Sequence, residues 1–522
     1  MLPEFRNEPF TDFSQPQNKQ AMEQALAKVE SQLGQYYPLI IGKDRIKTEG
    51  ELISLNPSSV GMDAHNKDEV VGRFGKGTKE LALKAISTAW EAFQTWKWVD
   101  PNERARYLFK AAAIMRRRKF EMAAWMVFEV GKNWMEADGD VAEAIDFLEF
   151  YGREMMRLGA PQPVTPYPGE ENELYYVPLG VGAVIPPWNF PLAILVGMTS
   201  ASFVAGNTVV LKPASTSPTI AVKFMEILEE AGLPPGVVNF LPGPGGAIGD
   251  TITSHPLTRF IAFTGSKEVG LHIHKLAAEV SPGQIWIKRT VLEMGGKDFI
   301  AVDNTADLEA AATAIVIAAF GFQGQKCSAC SRAIVEEGVY DEVLNRVVEK
   351  TKKLTVGPTK DFSNYMGPVV DQPAYEKILS YMDIGKQEGK LMCGGGKAPG
   401  NGYFIQPTVF ADIKPNDRLA QEEIFGPVLA FIKARDFEHI IEIANGTEFG
   451  LTGALFSSNR SHLERGRREL HTGNLYLNRK CTGALVGVQP FGGFNMSGTD
   501  SKAGGRDYLL LFTQAKSVAE RY

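Results

Sequence analysis

The 522-residue chain has only four cysteines, Cys327, Cys330, Cys393 and Cys481. That is too few to staple a protein of this size, which excludes a disulfide-built scaffold and fits a reducing, cytoplasmic compartment. Cys327 and Cys330 form a C-x-x-C, but no second pair and no nearby histidine completes a ligand set, so no metal is expected. Excess basic charge is also missing. The formal net charge is −6, which argues against nucleic acid as a partner. The one basic run, Arg116-Arg117-Arg118-Lys119, lies within a helical apolar period and reads as a solvated helix face. No long apolar stretch is unbroken. Residues 179–198 have the length of a membrane span, yet Pro186, Pro187, Asn189 and Pro191 interrupt them, so a strand–loop–helix unit is expected and no membrane association. The opening Met1-Leu2-Pro3-Glu4-Phe5-Arg6 has neither an apolar nor a basic amphipathic run, so no leader is expected. The dinucleotide fingerprint G-x-G-x-x-G is absent as well. Gly243-Pro244-Gly245-Gly246 is a glycine cluster that suits an ordinary strand-to-helix turn as well as a phosphate contact.

What is present is ordinary in bulk, with 44% hydrophobic and 22% charged residues, as in a soluble globular enzyme. The length exceeds one core, so two or three domains are expected. Residues 18–158 read mostly as helices, with apolar residues at helical spacing over 103–119 and 121–132. A turn-rich connector or exposed hairpin follows at about 157–172. From residue 179 short β-rich runs alternate with helices: strands at 181–185, 208–211, 237–240 and 259–263, and a helix at 192–205 stopped by Gly206. A second helix is capped by Ser217-Pro218 and ended by Gly232. This alternation predicts a parallel sheet with helices on both faces, which holds dinucleotides at the strands' C-terminal ends. A second α/β run spans about 299–474, with a charged helix at 340–354, and the last stretch is glycine-rich and then apolar.

Three short motifs carry chemistry: Pro186-Pro187-Trp188-Asn189-Phe190, Leu292-Glu293-Met294-Gly295-Gly296-Lys297 and Gly324-Gln325-Lys326-Cys327-Ser328. A thiol, a carboxylic acid and a side-chain amide are the parts needed to oxidise an aldehyde covalently. The thiolate adds to the carbonyl, the amide donates to the oxyanion, and the carboxylate later activates water. Phe263-Thr264-Gly265-Ser266 ends a strand just before a helix and leaves N–H groups for a pyrophosphate. Lys212 leaves another strand end, suited to a ribose or phosphate.

With these motifs quoted, the chain resembles the aldehyde dehydrogenase superfamily over about residues 38–522. Within it, the chain is most similar to the 1-pyrroline-5-carboxylate (glutamate semialdehyde) branch, on Gly321-Phe322-Gln323-Gly324-Gln325-Lys326-Cys327-Ser328-Ala329 and on the segments 474–487, 488–494 and 497–502. The resemblance implies an α/β fold of two doubly wound parallel-sheet domains plus a small β oligomerisation extension. The cofactor domain would span 1–292, interrupted near 157–178 by an oligomerisation hairpin. The catalytic domain would span 293–472, and 473–522 would return to the cofactor domain and end in an oligomerisation tail. By the same resemblance Cys327 is the nucleophile, Asn189 an oxyanion donor and Glu293 the base. Ile185, Pro186, Trp188, Lys212, Ser215, Gly265, Ser266, Glu423 and Phe425 would contact the cofactor. Ser328, Gly483 and Ala484 would hold a carboxylate, and Phe190 and Phe491 would flank an aliphatic chain.

The implied reaction is oxidation of L-glutamate 5-semialdehyde to L-glutamate with NAD, the last step of proline degradation. Many NAD-specific members carry Glu where this chain has Ser215. Serine removes a charge that would repel a 2′-phosphate, so NADP use stays open. Two alternatives remain: an aldehyde dehydrogenase for another semialdehyde or an aliphatic aldehyde, and a non-catalytic structural or binding protein on the same fold. A homo-oligomer, at least a dimer, is expected. The connector near 161–168 and the apolar tail 508–512 read as pairing surfaces. A fused proline oxidase domain is not expected at this length, and a separate proline dehydrogenase would be a transient partner. Cys330, Cys393 and Cys481 read as packing residues.

Overall fold

The computed structural model describes residues 3–60 and 69–522; Met1 and Leu2, part of the opening segment in which no leader is expected, lie outside them. Two seven-stranded sheets dominate. In the first, the strands Arg289–Glu293, Thr258–Thr264, Val181–Ile185, Thr208–Leu211 and Val238–Phe240 are adjacent in that order and all parallel. Leu39–Ile41 and Asp44–Ile46 extend this sheet antiparallel. Val181–Ile185 lies at its centre, and the chain winds outward from it in both directions. The topological switch therefore falls between Val181–Ile185 and Thr258–Thr264, where doubly wound sheets open a crevice. Every residue of Val181–Ile185 is buried, as a strand covered on both faces must be. Gly182 is required there, because a Cβ would stand 2.1 Å from the Phe260 ring of the next strand.

The second sheet runs Lys390–Cys393, Thr408–Ala411, Val428–Ala434, Arg332–Glu336, Phe299–Val302, Thr452–Phe456 and Asn474–Leu477, parallel except for the first. Asn474–Leu477 thus belongs with the strands before it, although the sequence reading ended that unit at residue 472. The last strand, Thr513–Arg521, pairs antiparallel with Glu170–Pro178 over nine residues. The expected hairpin near 157–178 is reduced to two bridges, Gln162 with Leu174 and Tyr167 with Glu170.

Three local expectations change for physical reasons. Ser217 makes no side-chain cap. The buried carboxylate of Glu129, from a distant helix, instead accepts from the N–H groups of Thr219 and Ile220 at 2.7 and 2.9 Å. The basic run is not a simple solvated face either. Arg116 pairs with Glu8 and Glu149, Arg117 with Glu230, Arg118 with Glu121 and Glu226, and Lys119 with Asp138. The apolar tail is mostly turned inward: Tyr508, Leu509 and Phe512 are buried in the chain's own core, and Leu510 and Leu511 are half-buried. Tyr508 stacks on Tyr151 and Phe512 meets Phe260 edge-on.

Candidate active site

Cys327 sits just past the helix Leu308–Phe320, after a turn the backbone resists. Phe322, Gln323 and Gly324 take φ values of 48°, 57° and 68° in succession. Two non-glycine residues in this region cost about 1 kcal/mol or more each, and such strain gathers at functional sites. The surroundings hold it in place. The Gln323 amide donates to the carbonyls of Gly131 and Pro368 at 3.1 and 2.8 Å. The Phe322 ring is fully buried under the Lys132 ammonium, 4.5 Å away. At Gly324 any Cβ would stand 2.4 Å from the Gly426 carbonyl oxygen. The Gln325 carbonyl accepts from the Asn189 amide at 3.1 Å, tying the candidate oxyanion donor to the cysteine loop.

Cys327 opens on a cavity of about 560 Å³ that Glu293, Ser328, Phe190, Phe491, Gly483 and Ala484 also line. Residues from five separate places in the sequence, spread over some 300 residues, therefore meet in one space. Burial and the carboxyl groups of Asp298, Glu293 and Glu423 push the Cys327 thiol well above its usual range. Glu293 ends the edge strand of the first sheet. Its Oε1 accepts from the Ser501 hydroxyl at 2.5 Å and the Ser501 N–H at 3.3 Å, while the buried Oε2 has no partner among the described residues. Burial raises this acid to about 7 against those donors, a value suited to a general base near neutral pH.

The candidate cofactor residues gather at the strand ends beside the switch point. Ile185, Lys212 and Gly265 lie at or just past the ends of three adjacent strands. The Gly265 N–H donates to the Glu293 carbonyl at 3.0 Å. Ser266 caps the helix Lys267–Ala278, accepting from Val269 N–H at 3.4 Å. Lys212 is buried, with only a 3.4 Å contact to the Pro213 carbonyl, and burial lowers its ammonium to about 8. A buried donor so poorly partnered at a strand end fits a ribose or phosphate oxygen. Ser215 donates to the Gly243 carbonyl at 3.3 Å, joining its loop to the glycine cluster. Pro186 is buried and Trp188 meets Phe425 edge-on at 5.5 Å. Phe425 has φ 60°, and Glu423 accepts from Gly296 N–H at 3.0 Å. These donors and aromatic faces suit a dinucleotide.

Several cavity residues escaped the motif reading. Glu136, Asp140 and Glu143 come from the helix Trp134–Leu158, Lys326 from the cysteine loop, and Arg479 and Lys480 from the segment after Asn474–Leu477. Glu136 pairs with Lys326 at 2.6 Å and Asp140 with Lys132 at 3.0 Å. Glu143 and Lys480 form no hydrogen bond or ion pair among the described residues. Burial raises Glu143 to about 8 and lowers Lys480. The only sequence signal was the acidic i, i+4, i+7 spacing of 136, 140 and 143, which an exposed helix face shows equally.

Residues 58–518 match the model of the aldehyde dehydrogenase family. The chain belongs to the aldehyde dehydrogenase family. It is 61% identical over 522 residues, the whole of both chains, to 1-pyrroline-5-carboxylate dehydrogenase of Geobacillus kaustophilus. The structure of 1-pyrroline-5-carboxylate dehydrogenase from Thermus with bound NAD superimposes with a TM-score of 0.97 at 52% identity, covering all of both chains. Proline utilization A from Bdellovibrio bacteriovorus matches with a TM-score of 0.97 at 45% identity, over 99% of this chain and 53% of its own.

Proposed function

We propose that this chain oxidises L-glutamate 5-semialdehyde, the opened form of 1-pyrroline-5-carboxylate, to L-glutamate with NAD, the last step of proline degradation. The observation that carries the substrate is an acid and a base on the cavity that also holds Cys327, Glu143 and Lys480, neither with a hydrogen bond or ion pair among the described residues. A zwitterionic amino acid would satisfy both. Its carboxylate would meet Lys480, the Ser328 hydroxyl and the N–H groups of Gly483 and Ala484, and its ammonium would face Glu143 and draw that acid back to its carboxylate form. Phe190 and Phe491 would bracket the methylene chain between them. Phe190 is itself held by the Lys132 ammonium, 4.0 Å from its ring.

In this reading the Cys327 sulfur bonds to the aldehyde carbon, and the Asn189 amide and the Cys327 N–H stabilise the oxyanion. The bound cofactor supplies a positive ring that favours the thiolate and accepts the hydride, and a thioester on Cys327 remains. Glu293 takes a proton from water, the water oxygen adds to the thioester carbon, and the Cys327 thiolate leaves as the acid is released. Ile185, Lys212, Ser266 and Glu423 would hold the cofactor. Ser215 adds no negative charge at the adenosine end, so NAD is the main cofactor with measurable NADP activity. The chain works as a cytoplasmic homo-oligomer, at least a dimer, and receives its unstable substrate by transient contact with a proline dehydrogenase.

The test compares kcat/KM for glutamate semialdehyde, succinate semialdehyde and propanal, with NAD and NADP in parallel. A preference for glutamate semialdehyde of at least about a hundredfold over propanal is expected. Similar values for all three would leave the thiol chemistry and remove the amino-acid substrate.

A further inference from the structure

Ser501 belongs to none of the motifs that carry the chemistry, yet it is buried and supplies the only side-chain hydrogen bond to Glu293 among the described residues. The segment around it is built against that carboxylate. Met294 N–H donates to the Ser497 carbonyl at 2.8 Å and Thr499 N–H to the Leu292 carbonyl at 2.9 Å, so residues 497–499 run along the outer edge of the strand Arg289–Glu293. Two glycines make the approach close enough. At Gly498, φ +155°, a Cβ would stand 2.4 Å from the Leu292 carbonyl oxygen and 3.4 Å from Glu293 Oε2. At Gly492 a Cβ would stand 3.1 Å from Glu293 Oε1 and 2.7 Å from the Lys502 nitrogen. Lys502 is itself fixed, with φ 53° and its ammonium donating to the carbonyls of Gly473 and Gly492 at 2.8 and 2.9 Å.

We propose that Ser501 is a positioning residue for the general base: it holds Glu293 by Oε1 and leaves Oε2 free to take the proton from water. The inference rests on the reading of Glu293 as base. It has an electrostatic consequence, because a hydroxyl donating to a buried carboxylate favours the charged form. The other titratable groups that act on Glu293 are Lys502, beside Ser501, and Cys327 and Tyr508, which share the cavity. Glu293 lies near 7 with Ser501 in place. Removing the hydroxyl raises it further, so a smaller fraction is carboxylate at neutral pH.

The measurement is stopped-flow formation of reduced cofactor from pH 6 to 10, separating the burst from the rate after it, in the full-length protein and in Ser501→Ala and Ser501→Thr. In S501A the acidic limb of the post-burst rate is expected to move up by about one pH unit, a loss of about tenfold at pH 6 that is recovered at pH 9, with the burst amplitude kept. Ser501→Thr restores the original limb. If S501A does not fold, Ser501→Cys, with its weak donor, reads the same limb and moves it the same way. An unmoved limb, or a loss equal at every pH that threonine does not repair, overturns the proposal. Running both proteins on propanal as well separates the two readings. Turnover of propanal without glutamate semialdehyde would fail the substrate and still report the limb.

Discussion

The proposed reaction centre, with Cys327 and Glu293 on the cavity, and the proposed substrate anchor on the same cavity are made differently. The centre is assembled from strand ends and a strained loop: Glu293 closes an edge strand, Cys327 follows three left-handed residues, and Asn189 is tied to the cysteine loop. Glu293 and Asn189 are buried and Cys327 half-buried, and both ionisable groups are shifted upward from their ordinary range. The anchor is a loop facing a helix. Gly483, Ala484 and Lys480 lie on the segment after Asn474–Leu477, Glu143 is on the helix Trp134–Leu158, and all four line the cavity. Its charges are unpartnered. Preorganised, water-poor groups serve steps shared by every aldehyde, whereas unpaired charges reward one substrate and penalise others. Rate and selectivity are therefore separable here by substitution.

The largest effect comes from breaking the centre. Glu293→Gln keeps the shape and the Ser501 contact but removes the base. One equivalent of reduced cofactor should form in a burst, followed by a steady rate lower by about a hundredfold or more on glutamate semialdehyde and propanal alike. Cys327→Ala, by contrast, should abolish the burst as well. A Glu293→Gln protein with its steady rate intact would take Glu293 out of deacylation and leave the centre without its distinguishing base.

The centre was legible in the sequence because each of its groups sits in a local signal. Cys327 follows a glycine-marked turn, Glu293 precedes Gly-Gly, and Asn189 stands among prolines that end a strand. Four of the five parallel strands of the first sheet were legible for a similar reason, since a strand buried on both faces reads as an apolar run; the edge strand Arg289–Glu293 was not. Glu143 and Ser501 were not legible, because Glu143 gains meaning only from sharing a cavity with residues about 180 positions away, and Ser501 only from its contact with Glu293, 208 positions away. Alone, Glu143 is one more acid on a helix and Ser501 one more serine in a glycine-rich segment. The run 508–512 misled for the converse reason. An apolar run demands cover, but only the fold shows that Tyr151 and Phe260 of the same chain provide it.

A narrower break tests the anchor alone. Glu143→Gln removes the unpaired charge and little volume, so kcat/KM on glutamate semialdehyde should fall by about tenfold or more, while that on propanal stays within about twofold. Because burial holds Glu143 near 8 when no ammonium faces it, the wild-type preference should also strengthen as pH rises from 6 to 8. Equal losses on both substrates would mean that Glu143 supports the fold of the cavity rather than the choice of substrate.

The smallest effect should come from the support beneath the anchor. Arg479 donates to the carbonyls of Thr482 and Gly483 at 2.9 and 3.0 Å while its guanidinium lies 4.4 Å over the Tyr476 ring. Gripping the carbonyls on one side of these peptides fixes the direction in which the N–H groups of Gly483 and Ala484 point, and Gly483, at φ 81°, would otherwise be free to turn. Lysine keeps the charge but lacks the planar fork. Arg479→Lys should therefore raise KM for glutamate semialdehyde by roughly three- to fivefold, leave kcat near its original value and leave propanal untouched. A fall in kcat on both aldehydes would instead join this loop to the reaction centre, and the division between rate and selectivity would have to be drawn elsewhere.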